Sequence, residues 1–306
     1  MATASMEFRA TGSKVTLRSR TLEVLGYREL LANLVRKELK VRYKNSVLGF
    51  LWTLVNPAVT IGVYAVIFGA VFKSNVPAFA LFLMTGVLIW NMFSIALGAA
   101  CGSVVGNAPL VKKVWFPREI LPLASIGAAL VDFLLQSSVL VVAIAIAAFT
   151  VNHWQVQWQW LPLIPLAVIT ALLLTAALAI WLAAVNVRYR DTQHFLGIAL
   201  MVWFWGTPII YSINQVTRRL DTYNAVWLPY LNPMTPIVLA FQRALYGVTP
   251  ARIPSGRGTT TVPVLPSAQW GFYLGLLGAV AAVSLLLIVG AMRVFRKAEG
   301  DFAEEL

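Results

Sequence analysis

At 306 residues, 59% hydrophobic and 12% charged, with a mean hydropathy of +0.76, the chain is too apolar for a water-soluble domain, in which about a quarter of residues carry charge. At about 20 apolar residues per crossing the length accommodates six helical spans and leaves no room for a large soluble catalytic domain. The single cysteine, Cys101, excludes an internal disulfide, and His153 and His194 lie too far apart in sequence for a local ligand pair, so no metal site is expected.

A net charge of +12 raises the question of nucleic acid, but the basic residues follow a membrane pattern instead. The first 46 residues hold ten Lys and Arg and no apolar run of signal-peptide length, so residues 1–26 read as a retained cytoplasmic tail. Residues 27–44, YRELLANLVRKELKVRYK, place Leu30, Leu31, Leu34, Val35, Leu39 and Val41 at helical spacing among Arg28, Arg36, Lys37, Lys40, Arg42 and Lys44. That spacing predicts an amphipathic helix on the cytoplasmic membrane surface, serving as an anchor on membrane lipids or as a moving element that meets an anionic head group.

The first charge-free stretch, residues 45–72, contains Pro57 as an expected kink. A second span is predicted over 78–100. Between it and the third, residues 107–118 predict a short helix with Asn107 as cap, Pro109 in its first turn and Pro117 closing it. Val111, Val114, Trp115 and Phe116 are expected on its exposed side beside Lys112 and Lys113, as an aromatic belt or as a knob for a cytosolic partner.

The third span, 120–149, is interrupted only by Asp132, with Gln136 one turn later on the same face. A lone intramembrane acid reads as a structural partner for a nearby Arg more readily than as a proton carrier, because ion coupling needs several such groups. The fourth span, 161–187, opens with Pro162 and Pro165, tolerated where helical donors are unneeded. The fifth, 195–212, is broken by Gly206 and Pro208. Residues 222–242 are free of charge but contain Pro229, Pro233 and Pro236, so a re-entrant pair of short helices within 206–247 is expected rather than a seventh span. The last span is predicted over 270–292, followed by a cytoplasmic tail, 293–306.

With six spans, 18 of the 24 Lys and Arg fall on the side of both termini, as the positive-inside rule requires. The other six are Lys73, Arg218, Arg219, Arg243, Arg252 and Arg257. Aromatics recur within the spans, among them Trp52, Tyr64, Phe68, Phe72, Trp90, Phe93, Trp203 and Trp205. Most suit lipid or the interface, and a subset lining a polar path (Trp52, Tyr64, Trp90 and Trp203 as candidates) would stack on sugar rings. The chain has no G-x-x-x-x-G-K-[ST], paired carboxylates, Ser/His/Asp set or HExxH motif, so it carries no P-loop and no recognisable catalytic group.

The run from Arg36 to Gly49, continuing into Leu51-Trp52 and Asn56-Pro57, resembles the membrane subunits of ABC-2 type polysaccharide exporters, which carry O-antigen, teichoic acid, capsule and galactan. Asn107, Leu110, Val111, Lys112, Lys113, Phe116-Pro117 and the Val187-Arg188-Tyr189-Arg190-Asp191 loop add to it. The resemblance implies an all-α integral membrane protein of the bacterial inner membrane, with both termini cytoplasmic and a transmembrane domain over 45–292. It implies a homodimer with two copies of a separate P-loop ATPase, which binds ATP and Mg; this chain binds no cofactor.

It further makes 27–44 a gate helix and 107–118 a coupling helix contacting the ATPase through Leu110, Val111, Lys112, Lys113, Trp115 and Phe116. Residues 206–247 become an extracellular gate, and Arg36, Lys40, Arg42 and Lys44 attract the diphosphate of a polyprenyl-linked glycan. A small-lipid or drug exporter of the same fold is the competing expectation. A membrane glycosyltransferase is disfavoured because Asp221 is the only acid in the expected outer loops, and a proton-coupled carrier rests on Asp132 alone.

Overall fold

The computed structural model describes residues 23–24, 26–44, 51–67, 78–150, 157–248, 250–255, 258–300 and 302–306. Most of the N-terminal tail, both ends of the first expected span (with Phe68 and Phe72), Lys73 and His153 lie outside them.

The described chain is helical apart from one hairpin. The helices are α1 (Arg28–Tyr43), α2 (Trp52–Ala65), α3 (Phe79–Gly106), α4 (Ala108–Lys113), α5 (Ile120–Thr150), α6 (Leu163–Arg188), α7 (Thr192–Trp205), α8 (Ile213–Asp221), α9 (Met234–Leu245), α10 (Trp270–Glu299) and α11 (Phe302–Glu305). Four of them, α3, α5, α6 with its preceding turn, and α10, are long and apolar enough to cross a bilayer, with mean hydropathies of 2.0 to 2.6 over their best stretches.

The first expected span is described only over α2 and the fifth as α7, 14 residues each, or about 21 Å at 1.5 Å per residue. The fifth ends at Trp205 rather than near residue 212. Beyond it the Thr207 hydroxyl bonds back to the Trp203 carbonyl at 2.8 Å, and Pro208 has no N–H to continue the ladder. Toward their C-terminal ends α3 and α10 run further than expected, to Gly106 and Glu299, because no proline interrupts either segment.

Helix α3 is the central element: 72% of its most apolar stretch is buried, against 28% for α5 and 22% for α10. It packs on α5, α6, α9 and α7, while α6 carries α10 on its other side. The outward faces of α5 and α10 show Leu134, Val141, Val142, Phe149 and Leu286 more than half exposed, the contiguous apolar surface that lipid covers and water does not.

Two buried clusters divide the molecule. The larger fills the bundle with Phe82, Phe93, Leu97, Phe241 and Leu277. The smaller, at one end, gathers Leu34, Val104, Val111, Phe116, Phe295 and Phe302 from widely separated parts of the chain. Close approach within the bundle depends on Gly86, where a Cβ would stand 2.8 Å from Gln242 Nε2 and 3.0 Å from Ile209 Cγ2.

The segment before α10 holds a β-hairpin. Strands β1 (Pro250–Ser255) and β2 (Gly258–Pro263) pair antiparallel, with Arg252 opposite Thr261 and Ile253 opposite Thr260. The β-branched run Thr259 to Val262 suits an extended ladder, and its short length hid it among the prolines.

Candidate functional site

Helix α1 lies along α5, and the contact is built residue by residue. Leu34 is 7% exposed and joins the smaller cluster. For the next residue, Val35, Gly127 of α5 makes room: the Val35 Cγ2 would be 2.8 Å from any Cβ added there. The Ser125 hydroxyl donates to Glu38 at 2.9 Å. Burial pushes the Glu38 carboxyl above its ordinary value, against the opposing pull of the Ser125 hydrogen bond, Arg42 and Lys37.

The guanidinium of Arg42 is ion-paired with Asp132, whose side chain is 7% exposed against 34% for Arg42. The lone intramembrane acid therefore has the structural Arg partner that its isolation suggested. Gln136 is half-buried one turn further on. Of the four cations expected to attract a diphosphate, Arg42 is thus the one ion-paired with Asp132. Arg36, Lys40 and Lys44 stay exposed on the outer side of α1.

The short helix expected over 107–118 is shorter than expected, since α4 ends at Lys113 and Val114 is extended. Asn107 occupies the cap position of α4, but its side chain makes no capping bond. Its amide instead donates to the Ser103 carbonyl at 2.8 Å, while its oxygen accepts from Lys37 Nζ at 2.8 Å.

Of the six expected partner contacts, Val111 and Phe116 are 4% and 3% exposed and face inward, because their side chains complete the smaller cluster. Leu110 is half-buried. Lys112, Lys113 and Trp115, with Val114, form the exposed surface, and Trp115 is 73% exposed. Behind this segment Arg118 donates to the Glu299 carbonyl at 2.6 Å and lies 5.6 Å from the Phe302 ring centroid. Phe302 in turn packs edge-on against Phe295 at 5.3 Å.

The aromatic candidates separate in the same way. Trp52 is exposed, and Tyr64 is partly buried against the core. Trp90 is 5% exposed within a cluster with Phe93, Trp203 and Phe204, so it is a packing residue and offers no face to a sugar. Trp203 is likewise committed: its ring meets Phe93 at 5.2 Å and its Nε1 donates to Asn232 at 2.7 Å.

Asn232 organises the opposite end of the molecule. Its oxygen also accepts from the Met234 N–H, and its amide donates to the Gly206 carbonyl and the Thr207 hydroxyl. It thereby ties the end of α7 to the start of α9, whose residues from Met234 to Ala244 are all buried. Gly247, at φ +79°, turns the chain out of α9 in the left-handed conformation that suits glycine. Arg243 of α9 is 6% exposed, stacks over Trp160 at 4.1 Å and donates to Gln157 at 2.6 Å. Trp160 stacks in turn on Trp270. A cleft of about 460 Å³ opens beside α8, lined by Asn214, Thr217, Arg218, Pro266 and Ser267.

Sequence reasoning missed the roles of Lys37, Glu38, Asn107, Gly127 and Asn232. Glu38, an acid set directly among Arg36, Lys37, Lys40 and Arg42, is the visible signal.

Comparisons with known proteins agree with this architecture. The family described as ABC-2 type transporter matches residues 29–246. The O-antigen export system permease protein RfbA of Myxococcus xanthus is 33% identical over 284 residues, covering 93% of this chain and 98% of that protein. A permease of the same name from Klebsiella pneumoniae is 31% identical over 219 residues, covering 71% of this chain and 81% of its own length. The polysialic acid transport protein KpsM of Escherichia coli is 22% identical over 223 residues, with 72% and 81% covered. With its apolar helical bundle and these matches, the chain belongs to the ABC-2 type transporter family of multi-pass membrane proteins.

Proposed function

We propose that this chain is the transmembrane subunit of an ATP-driven exporter that moves a polyprenyl-diphosphate-linked polysaccharide out of the cytoplasm across the bacterial inner membrane. The observation that carries the reading is the end-to-end similarity to an O-antigen export permease, covering 98% of that protein. In this reading α2 and α7 complete six passes and both termini are cytoplasmic. Two copies of the chain form the conduit, and two copies of a separate ATPase hold the ATP and magnesium.

The residues divide the work. Lys112, Lys113, Val114 and Trp115, exposed beside the buried Val111 and Phe116, form the ATPase contact. Arg36, Lys40 and Lys44, unburied on α1, attract the lipid diphosphate, while Arg42 holds α1 to α5 through Asp132. On the outer side α8 and α9 form the gate, and the cleft beside Arg218 meets the emerging glycan.

The test is purification of the tagged chain from its native membrane in mild detergent, with mass-spectrometric identification of bound proteins. A P-loop ATPase recovered near one-to-one, and lost with W115A, is the expected result. A chain that purifies alone, with no ATP hydrolysis, refutes the reading.

A further inference from the structure

The docking segment and the surface helix α1 are separated by about 70 residues of sequence, yet one hydrogen bond joins them: Lys37 Nζ to Asn107 Oδ1, 2.8 Å. The amide of Asn107 is oriented at both ends, because its nitrogen donates to the Ser103 carbonyl one turn back on α3. Asn107 is also the hinge residue between α3 and α4, and its own carbonyl accepts from Leu110 and Val111 in the first turn of α4. Any tilt of α4 therefore moves the acceptor that Lys37 holds.

On the α1 side, Leu34 sits one turn before Lys37 and shares the buried cluster with Val111, so an apolar contact region backs the polar tie. Exposed hydrogen bonds of this kind contribute little to stability. Their geometric effect is to fix register between two elements that otherwise slide.

We infer that the Lys37–Asn107 pair is a positioning link that transmits displacement of the docking segment directly to α1. The inference rests on the reading of the α4 surface as the ATPase contact. It assigns Asn107 a role in coupling rather than in helix capping, and it separates Lys37 from the neighbouring cations that face outward.

Cys101 is fully buried, so a cysteine placed at Val41 or at Ala32, both exposed on α1, is the reactive thiol for labelling. The purified complex in lipid nanodiscs is treated with fluorescein maleimide, with and without a non-hydrolysable ATP analogue. The expected result is at least a fivefold change in labelling rate on nucleotide addition in the parent. The change disappears in K37M and in N107A while ATPase co-purification and hydrolysis persist, and it returns in the double variant K37E/N107K, where a Glu–Lys ion pair takes the place of the hydrogen bond.

Persistence of the nucleotide-dependent change in K37M or N107A overturns the link alone. A parent with no nucleotide-dependent change at either position overturns it as well. Absence of any co-purifying ATPase overturns both the link and the docking reading beneath it. Retained hydrolysis with lost labelling response is a signature that general destabilisation of the fold does not produce.

Discussion

Removing Arg42 and removing Asp132 break the same ion pair but leave different residues behind. Two unit charges about 4 Å apart attract by about 4 kcal/mol at an effective dielectric near 20, and stranding one member of a buried pair costs about 3–5 kcal/mol. R42A leaves a carboxylate whose side chain is 7% exposed, and the upper part of that penalty applies. D132N leaves a guanidinium 34% exposed on a flexible stem that can turn to water, so the loss is nearer 1 kcal/mol.

Because the pair fastens α1 to α5, both changes appear as local opening of α1. Hydrogen–deuterium exchange of residues 28–43 in nanodiscs should accelerate roughly 1000-fold in R42A and about fivefold in D132N, at about 1.4 kcal/mol per factor of ten. The double variant R42A/D132N should return to within about tenfold of the parent, since no buried charge is left unpaired. If D132N opens α1 as much as R42A does, Asp132 is not a charge held in place by Arg42 and the reasoning fails.

Glu38 offers a pH test of the same interface. Its carboxyl is raised above the ordinary 4.5 by burial in the docked state, so its stabilising contribution is full below that ordinary value and lost as pH rises through the docked one. Exchange of the α1 amides, corrected for intrinsic rates, should thus show tighter docking at pH 4 than at pH 7. E38Q should flatten the dependence and dock at least as well as the parent at pH 7, whereas E38A should lose about 1 kcal/mol with the Ser125 hydrogen bond. Gly127→Ala puts a methyl 2.8 Å from Val35 Cγ2, and the overpacking, about 1–3 kcal/mol, should speed tryptic cleavage after Lys37 and Lys40. Unchanged cleavage would show that α1 has slack to accommodate it. F116A empties a site that is 3% exposed and should cost about 3–5 kcal/mol of folding stability, lowering the melting temperature of the membrane domain, while W115A should leave it unchanged; equal shifts would contradict the assignment of inward and outward faces.

The four long apolar helices, helix α1 and the short helix α4 are legible in the sequence because each rests on a local property: apolar length, helical spacing of Leu and Val, or an Asn and Pro bracket. What was not legible depends on neighbours distant in the chain. Phe116 and Trp115 look alike in sequence, and only the arrival of Phe295 and Phe302 from the other end makes one buried and leaves the other exposed. Trp90 and Trp203 read as sugar platforms until Asn232, donated from a later segment, fixes the Trp203 indole and closes the cluster. Asp132 lies between these cases. Its lack of companion acids argued for an Arg partner, but the identity of that Arg came from packing of α1 against α5.

The smaller cluster has a consequence for the order in which the molecule matures. Its members run from Leu34 to Phe302, so it cannot close until Phe302 has been made. A ribosome adding roughly 5–20 residues per second has therefore inserted every long span before Phe302 can pack on Phe295 and Arg118 can reach the carbonyl of Glu299. The loop bearing Trp115 thus gains its firm backing only after every long span is in place, so the exposed surface around Trp115 takes its shape late.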